Sequence, residues 1–206
     1  MASASPLLYL PNGCWDCIFK LIVDPNDNDF IDYNHVLKSL SVVSKKFLSI
    51  TSGLRFSLTI SKIAPLSFFC RDFQRFTNLT SLDFKLFSGC LNTVLCQLSR
   101  FPLNLTSLNL SNKPTIPANG LRVFSQNITT LTSLSCSNIE SINSTDIFLI
   151  ADCLPLLEEL DLSNPKYFND FSNFLDGVKA LSLALFKLRK VNVVLCLKIY
   201  RTKLPG

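Results

Sequence analysis

The chain is poor in the residues that most often carry chemistry. Among 206 residues there is one histidine (His35), one tryptophan (Trp15) and one methionine. A single histidine leaves charge-relay hydrolysis and most metal centres without their usual base or ligand set. Glycine is scarce, at six, and the patterns G-x-x-x-x-G-K-[ST], G-x-G-x-x-G and G-x-S-x-G do not occur. Phosphate-cradling loops and nucleophile elbows therefore have no sequence support. No run reaches the ~18 uninterrupted apolar residues of a membrane span. The most apolar stretch, 178–200, is cut by Lys179, Lys187, Arg189, Lys190 and Lys198. The opening residues hold no basic segment, and the apolar run from Leu7 to Leu10 stops at Pro11, too short for a secretion signal. Basic residues outnumber acidic ones only 20 to 15 and are scattered, a faint footprint for nucleic acid. The expectation is a protein that is not an enzyme and needs no metal or other cofactor. It would work inside the cell, in cytoplasm and/or nucleus, with neither nucleic acid nor membrane as partner. Its eight cysteines are then expected to be reduced.

What the chain does have is repetition. Four segments align: Asn78-Leu79-Thr80-Ser81-Leu82-Asp83-Phe84, Asn104-Leu105-Thr106-Ser107-Leu108-Asn109-Leu110, Thr130-Leu131-Thr132-Ser133-Leu134-Ser135-Cys136, and Leu156-Leu157-Glu158-Glu159-Leu160-Asp161-Leu162. Their first key leucines, Leu79, Leu105, Leu131 and Leu157, are equally spaced. A degenerate copy follows at Leu188 with Val191 and Val193, after a longer step, and Ser57-Leu58-Thr59-Ile60 precedes them all. The second half of each segment alternates apolar and polar, the period of a half-buried strand. Ten residues before the key leucines stand Phe69, Leu95, Leu121, Ile147 and Val178; seven before stand Leu98, Phe124, Ile150 and Leu181. A separation of three places each pair on one helical face. Each unit thus reads as strand, loop and returning helix. Such a unit cannot bury both apolar faces alone, and stacking copies builds a parallel sheet backed by helices over one continuous core.

These segments resemble leucine-rich repeats. The stretch from Asp146 to Leu162, with Cys153 just after its helix, is similar to the cysteine-containing subtype common in F-box proteins. The resemblance implies an α/β right-handed solenoid over 54–200, of about five to six repeats with a degenerate or truncated end. The asparagines after the strands, Asn112, Asn138 and Asn164, sit one place earlier than the repeat's usual asparagine, so an altered or shifted asparagine ladder is expected.

Residues 7–50 do not follow the repeat. Pro11 fixes φ and signals a helix entry. Cys14, Trp15, Ile18, Phe19 and Ile22 then recur at helical spacing. The Asp24-Pro25-Asn26-Asp27-Asn28-Asp29 cluster ends that helix. A second helical pattern covers Val36, Leu37, Leu40, Val43, Phe47, Leu48 and Ile50, closed by Ser52-Gly53. Leu10-Pro11, Ile18-Phe19 and the run from Leu40 to Leu48 resemble an F-box motif, a small all-α unit. Phe47 stands where many F-boxes carry Trp, and the 24–34 turn is long for the motif. The resemblance implies docking on a Skp-family adaptor within a cullin complex. Leu10, Pro11, Ile18, Phe19, Leu40, Val43, Ser44 and Phe47 would form the adaptor-facing or supporting surface. Trp15 joins them as a large anchor of the kind that dominates interfaces. The plainer alternative is that Trp15 and Phe19 cap the open end of the stack, which any such stack requires.

Other patterns invite stronger readings than their context bears. Cys14-Trp15-Asp16-Cys17 is a C-x-x-C, so a thiol oxidoreductase is a minor alternative, but no strand–helix–strand pattern surrounds it. His35 reads as a solvated loop residue. The sequons at Asn78, Asn104, Asn127 and Asn143 read as repeat consensus rather than glycan acceptors. Between the buried leucines, Ser81, Ser107, Ser133, Glu159 and Lys190 form one outward column, and Asp83, Asn109, Ser135, Asp161 and Asn192 the next. They would line the concave face, the usual binding surface of a stack. A third column runs Lys85, Ser111, Ser137, Ser163 and Val194. The apolar end from Val191 to Tyr200 carries no polar capping repeat, which suggests a shortened member of a longer repeat family. The leading expectation is a substrate receptor of an SCF-type ubiquitin ligase, holding an unknown protein target on its repeats. The alternative is an interaction scaffold with no ubiquitin link.

Overall fold

The computed structural model describes residues 10–22, 33–60, 73–168 and 171–194. Residues 7–9, the 24–32 part of the polar turn, Phe69 and the chain beyond 194 lie outside the described residues.

Among the described residues three helices come first: α1 (Asn12–Ile22), α2 (Tyr33–Ser41) and α3 (Lys45–Gly53). The Pro11 carbonyl accepts the amides of Cys14 and Trp15 at 3.1 and 3.4 Å, so proline does open α1. The single helix expected over 36–50 is two. Ser44 has extended backbone, and its hydroxyl accepts the Phe47 amide at 3.1 Å. That N-cap satisfies a donor that a continuous helix would have paired with Val43. His35 stands on α2 rather than in a loop, and it is exposed. Phe19, Leu37 and Leu54 are buried at the centre of this unit, with Trp15, Ile18, Leu40 and Phe47 packed around them.

Eight short strands follow among the described residues: β1 (Ser57–Thr59), β2 (Ser81–Asp83), β3 (Ser107–Asn109), β4 (Ser133–Ser135), β5 (Ser141–Ile142), β6 (Glu159–Asp161), β7 (Tyr167–Phe168) and β8 (Lys190–Asn192). Six form a parallel sheet in the order β1-β2-β3-β4-β6-β8, and β5 pairs with β7. Between them run α4 (Leu91–Leu98), α5 (Ala118–Asn127), α6 (Ser144–Cys153) and α7 (Phe171–Ala184). Cys153 is the last residue of α6, not the one after it, and is half-buried. The architecture is α/β, a parallel sheet backed by helices, compatible with a solenoid-like arrangement.

The repeat register holds residue for residue. Leu58, Leu82, Leu108, Leu134, Leu160 and Val191 are Cα partners across the sheet. Leu79, Leu105, Leu131 and Leu157 are each 0–1% exposed. Among the registered helix positions, Leu95, Leu121 and Ile147 are fully buried, as are Leu98, Phe124 and Ile150, and Leu181 is 1% exposed; Val178 is half-buried. All of these except the exposed Val191 belong to one continuous core or pack against it.

The copied Asn-Leu-Thr tripeptides have a structural cause. The Thr80 carbonyl accepts the amides of Thr106 and Ser107, and the Thr106 carbonyl those of Thr132 and Ser133. The Thr106 and Thr132 hydroxyls add bonds to the same carbonyls, 26 residues back. At the other end of the strands, Asn112, Asn138 and Asn164 have φ of 61°, 55° and 54°. Their amides donate to the carbonyls of Ser137, Ser163 and Val194 in the next copy. These asparagines supply a left-handed backbone turn, which Asn tolerates better than most residues. Helix approach is set by Gly120, whose amide donates to Asn92 Oδ1 at 2.7 Å. A Cβ there would stand 2.7 Å from the Asn92 Cα, so α4 and α5 need glycine at that crossing. Among the described residues no helix is long and apolar enough to cross a membrane.

Two outcomes follow from this register. Leu105→Ala should lower the unfolding free energy by ~2–5 kcal/mol in urea titration, whereas Leu86→Ala should stay within about 0.5 kcal/mol, because Leu105 is buried and Leu86 is 63% exposed. Asn138→Val should destabilise by roughly 1–2 kcal/mol while Asn138→Gly is neutral or better; equal losses for both would refute the turn role.

Candidate functional site

Two surfaces collect the residues that the sequence singles out. The first is the outward face of the six-stranded sheet. Ser81, Ser107, Ser133, Glu159 and Lys190 are aligned Cα partners, as are Asp83, Asn109, Ser135, Asp161 and Asn192. Both predicted columns therefore exist as rows across the sheet. The strand period turns them away from the leucine core.

The second row is largely consumed by the fold. Asp83 Oδ1 accepts the Lys85 amide at 2.7 Å, Asn109 Oδ1 the Ser111 amide at 2.9 Å, and Asp161 Oδ1 the Ser163 amide at 2.9 Å. Asn192 repeats the pattern on Val194 at 3.4 Å. These local turns explain why Asp and Asn recur there: each short side chain pairs an amide two residues on. Ser135 Oγ lies 3.0 Å from Ser111 Oγ. The third column does not face outward throughout, since Ser111 and Ser163 are buried, and Ser137 donates to Ser111 Oγ at 2.9 Å. The first row stays accessible: its three serines are half-buried, and Glu159 and Lys190 are exposed. A groove of about 230 Å³ crosses β4, β6 and β8, lined by Ser133, Ser135, Glu159, Asp161, Lys190 and Asn192.

The second surface is on the helical unit. Leu10 is 39% exposed, Val43 64% and Val42 80%. Pro11 and Ser44 are exposed, and Lys46 Nζ donates to the Leu10 carbonyl at 2.7 Å, tying the start of α1 to α3. The larger anchors are turned inward. Phe19 is 1% exposed. Trp15, Ile18, Leu40 and Phe47 are half-buried. The Trp15 and Phe47 ring centroids are 4.8 Å apart, and Phe19 meets Phe47 edge-on at 4.8 Å. Phe19 and Leu40 thus act in the supporting core, and Leu10, Pro11, Val43 and Ser44 form the accessible rim.

The cysteines and the buried lysine complete the inventory. Cys14 and Cys17 lie one turn apart on α1, both exposed as free thiols. Residue spacing gave no sign of Cys90, which precedes α4. Thr93 donates its hydroxyl to the Cys90 sulfur at 3.3 Å and holds the exposed thiol below its ordinary pKa. Burial pushes the Cys136 thiol far up. Lys113, also missed, is 6% exposed, and its ammonium donates to the carbonyls of Phe87 and Lys85 at 2.5 and 3.1 Å. It staples the turn after β3 to the turn after β2. Burial lowers its pKa, and the nearby Asp83 charge opposes that shift. A lone lysine in a polar loop carries no sequence signal for burial. Among the described residues no group of three or more His, Cys, Asp or Glu gathers in a way that would hold a metal.

No protein-family model matches the chain, and no curated protein matches it in sequence.

Lys113 can be tested directly. Lys113→Met keeps the apolar stem and orphans two carbonyls, so it should cost ~1–3 kcal/mol near neutral pH. The folded-state pKa is depressed, so the unfolded chain binds the extra proton between that depressed value and the ordinary lysine range. Wild-type stability should therefore rise with pH across this window relative to Lys113→Met; parallel pH profiles of the two unfolding free energies would contradict it.

Proposed function

We propose that the chain is the substrate-recognition subunit of an SCF-type ubiquitin ligase, an F-box unit joined to leucine-rich repeats. On this reading α1, α2 and α3 dock on a Skp-family adaptor that links to a cullin. The outward sheet face holds the target protein. The subunit catalyses nothing. It raises the effective concentration of a target lysine near the charged conjugating enzyme.

The observation that carries the reading is the apolar rim of the helical unit. Leu10, Val42 and Val43 stay exposed although the unit already has its own small core. Exposed aliphatic residues beside a filled core suit a partner surface. Leu10 and Val43 are among the positions that the F-box resemblance assigns to adaptor contact. The sheet face, with its accessible serines ending in Glu159 and Lys190, supports a polar target-binding surface.

A second reading has its own support. The helical unit is fastened to the sheet: Arg75 Nε donates to Ser52 Oγ at 2.8 Å and Asn78 Nδ2 to the Gly53 carbonyl at 2.7 Å. With Phe19 inward, the unit serves as an end cap for the repeats. An interaction scaffold with no ubiquitin link needs nothing more.

A pulldown separates the two. Wild type should retain a Skp-family adaptor. Val43→Asp, at an exposed position, and Leu10→Ala/Pro11→Ala should each weaken retention by about tenfold or more with the unfolding midpoint unchanged. Well-folded wild type that retains no adaptor would leave the scaffold reading standing alone.

A further inference from the structure

The first row of the outward sheet face changes character along its length. It is serine through β4, then Glu159 on β6 and Lys190 on β8. Asp161 and Asn192 stand two residues further along the same two strands, and so on the same side of the sheet. These four side chains bound the groove of about 230 Å³ together with Ser133 and Ser135, whose short side chains leave the β4 side low. Small-molecule sites are typically ~300–1,000 Å³. A groove of this size suits the ends of two or three side chains rather than a whole organic ligand.

The β6 and β8 sides of the groove have opposite chemistry. β6 presents two carboxylates, Glu159 and Asp161, and β8 an ammonium and a carboxamide, Lys190 and Asn192. The fold orients the second pair: Asp161 Oδ1 accepts the Ser163 amide at 2.9 Å, and Asn192 Oδ1 accepts the Val194 amide at 3.4 Å. With its oxygen engaged, Asn192 offers its NH2 group. A line of acceptors therefore runs beside a line of donors, one strand spacing of ~4.8 Å away. Glu159 and Lys190 are Cα partners and both are exposed, yet they form no ion pair with each other. An exposed pair of this kind is worth little, so a ligand that brings a counter-charge to each gains two contacts and gives up almost nothing.

A ligand of one sign meets attraction on one side of the groove and repulsion on the other. A ligand that carries both signs close together meets attraction on both. In an extended polypeptide neighbouring side chains point to opposite sides, and alternate ones stand ~6.6–6.8 Å apart on the same side. Positions i and i+2 therefore reach the two sides of the groove together. Positions i and i+1 cannot both face the sheet, and i and i+4 overshoot it. We propose that the β6–β8 end of the sheet face binds an extended protein segment in which a single residue separates one basic and one acidic residue. The basic side chain lies on Glu159 and Asp161, and the acidic one on Lys190 and Asn192. This inference rests on the reading of the sheet face as the target-binding surface, and it does not depend on adaptor docking by the helical rim.

The test titrates the whole nitrogen-15-labelled chain at low salt with blocked alanine–threonine peptides, each carrying two charged residues. The probes are Arg-x-Glu, Glu-x-Arg, Arg-Glu with nothing between, Arg-x-Arg and Glu-x-Glu. The better of the two spaced mixed-charge peptides should shift the backbone amides of β6 and β8 saturably, about threefold or more tighter than the last three probes. Glu159→Gln should weaken that binding by about two- to fivefold. Lys190→Glu makes the groove acidic and should move the preference to Arg-x-Arg. Both positions are exposed, and an unchanged unfolding midpoint verifies each variant. Equal binding of mixed and single-sign peptides, an unaltered preference in folded Lys190→Glu, or no saturable shift at roughly 10 mM peptide would each overturn the proposal. Adaptor retention alongside such a failure leaves the receptor reading in place, whereas peptide binding without adaptor retention removes the receptor reading and keeps the groove assignment.

Discussion

The parallel pairing of each strand with the strand of the preceding copy is the constraint on which everything else rests. Side-chain direction alternates along a strand, so a slip of one residue would turn every buried leucine outward. The chain prevents this twice over. The Thr80, Thr106 and Thr132 carbonyls each accept two amides from the following copy, and Asn112, Asn138 and Asn164 lock the far ends. Between those locks only a three-residue strand is needed. The longer step to the last copy is absorbed by the longer helix α7, fourteen residues against eight in α4. The core thins there: Val191 is 37% exposed, whereas its partner Leu160 is 2% exposed.

The same ladder joins the helical unit to the repeats. The Phe56 carbonyl accepts the amides of Thr80 and Ser81, as the threonine carbonyls do further on. The segment after α3 is therefore the first rung of the stack. The unit's core of Phe19, Leu37 and Leu54 remains separate from the main one. The small helical core and the continuous repeat core meet through hydrogen bonds such as Arg75 to Ser52 and Asn78 to Gly53, with Arg55 and Arg75 both over the Phe76 ring. On the two readings proposed, capping and docking would not compete for residues: Ser52, Gly53 and Phe56 bond to the repeat side, and Leu10 and Val43 stay exposed.

The repeat core was legible because its signal is periodic. Equal spacing of Leu79, Leu105, Leu131 and Leu157 specifies both the strands and their register, and helix positions such as Leu95 and Phe124 follow from the same offset. The break between α2 and α3 was not legible, because Val42 and Val43 continue an apolar pattern while the break depends on one serine hydroxyl. The inward turn of Phe19 was likewise hidden: spacing shows which residues share a helix face, not which neighbour fills it. Lys113, Arg55 and Arg75 gave no pattern. Their placement depends on contacts 20 or more residues away in sequence, as with Arg75 on Ser52 and Lys113 on Phe87, and no local rule encodes such pairs.

The sheet face shows how one set of residues serves fold and function unequally. Recurrence of Asp83, Asn109 and Asp161 looks like a binding column, yet each side chain already accepts an amide two residues ahead. Copying such a residue in every repeat is what a structural role demands, since every strand end has the same unpaired amide. Recognition demands the reverse, side chains that differ from copy to copy. In the first row the copies agree as serine through β4 and then diverge to Glu159 and Lys190. On the receptor reading, discrimination between targets must therefore concentrate at the β6–β8 end, where the groove lies and where the row stops repeating. The serine end supplies a small polar platform that excludes little by itself.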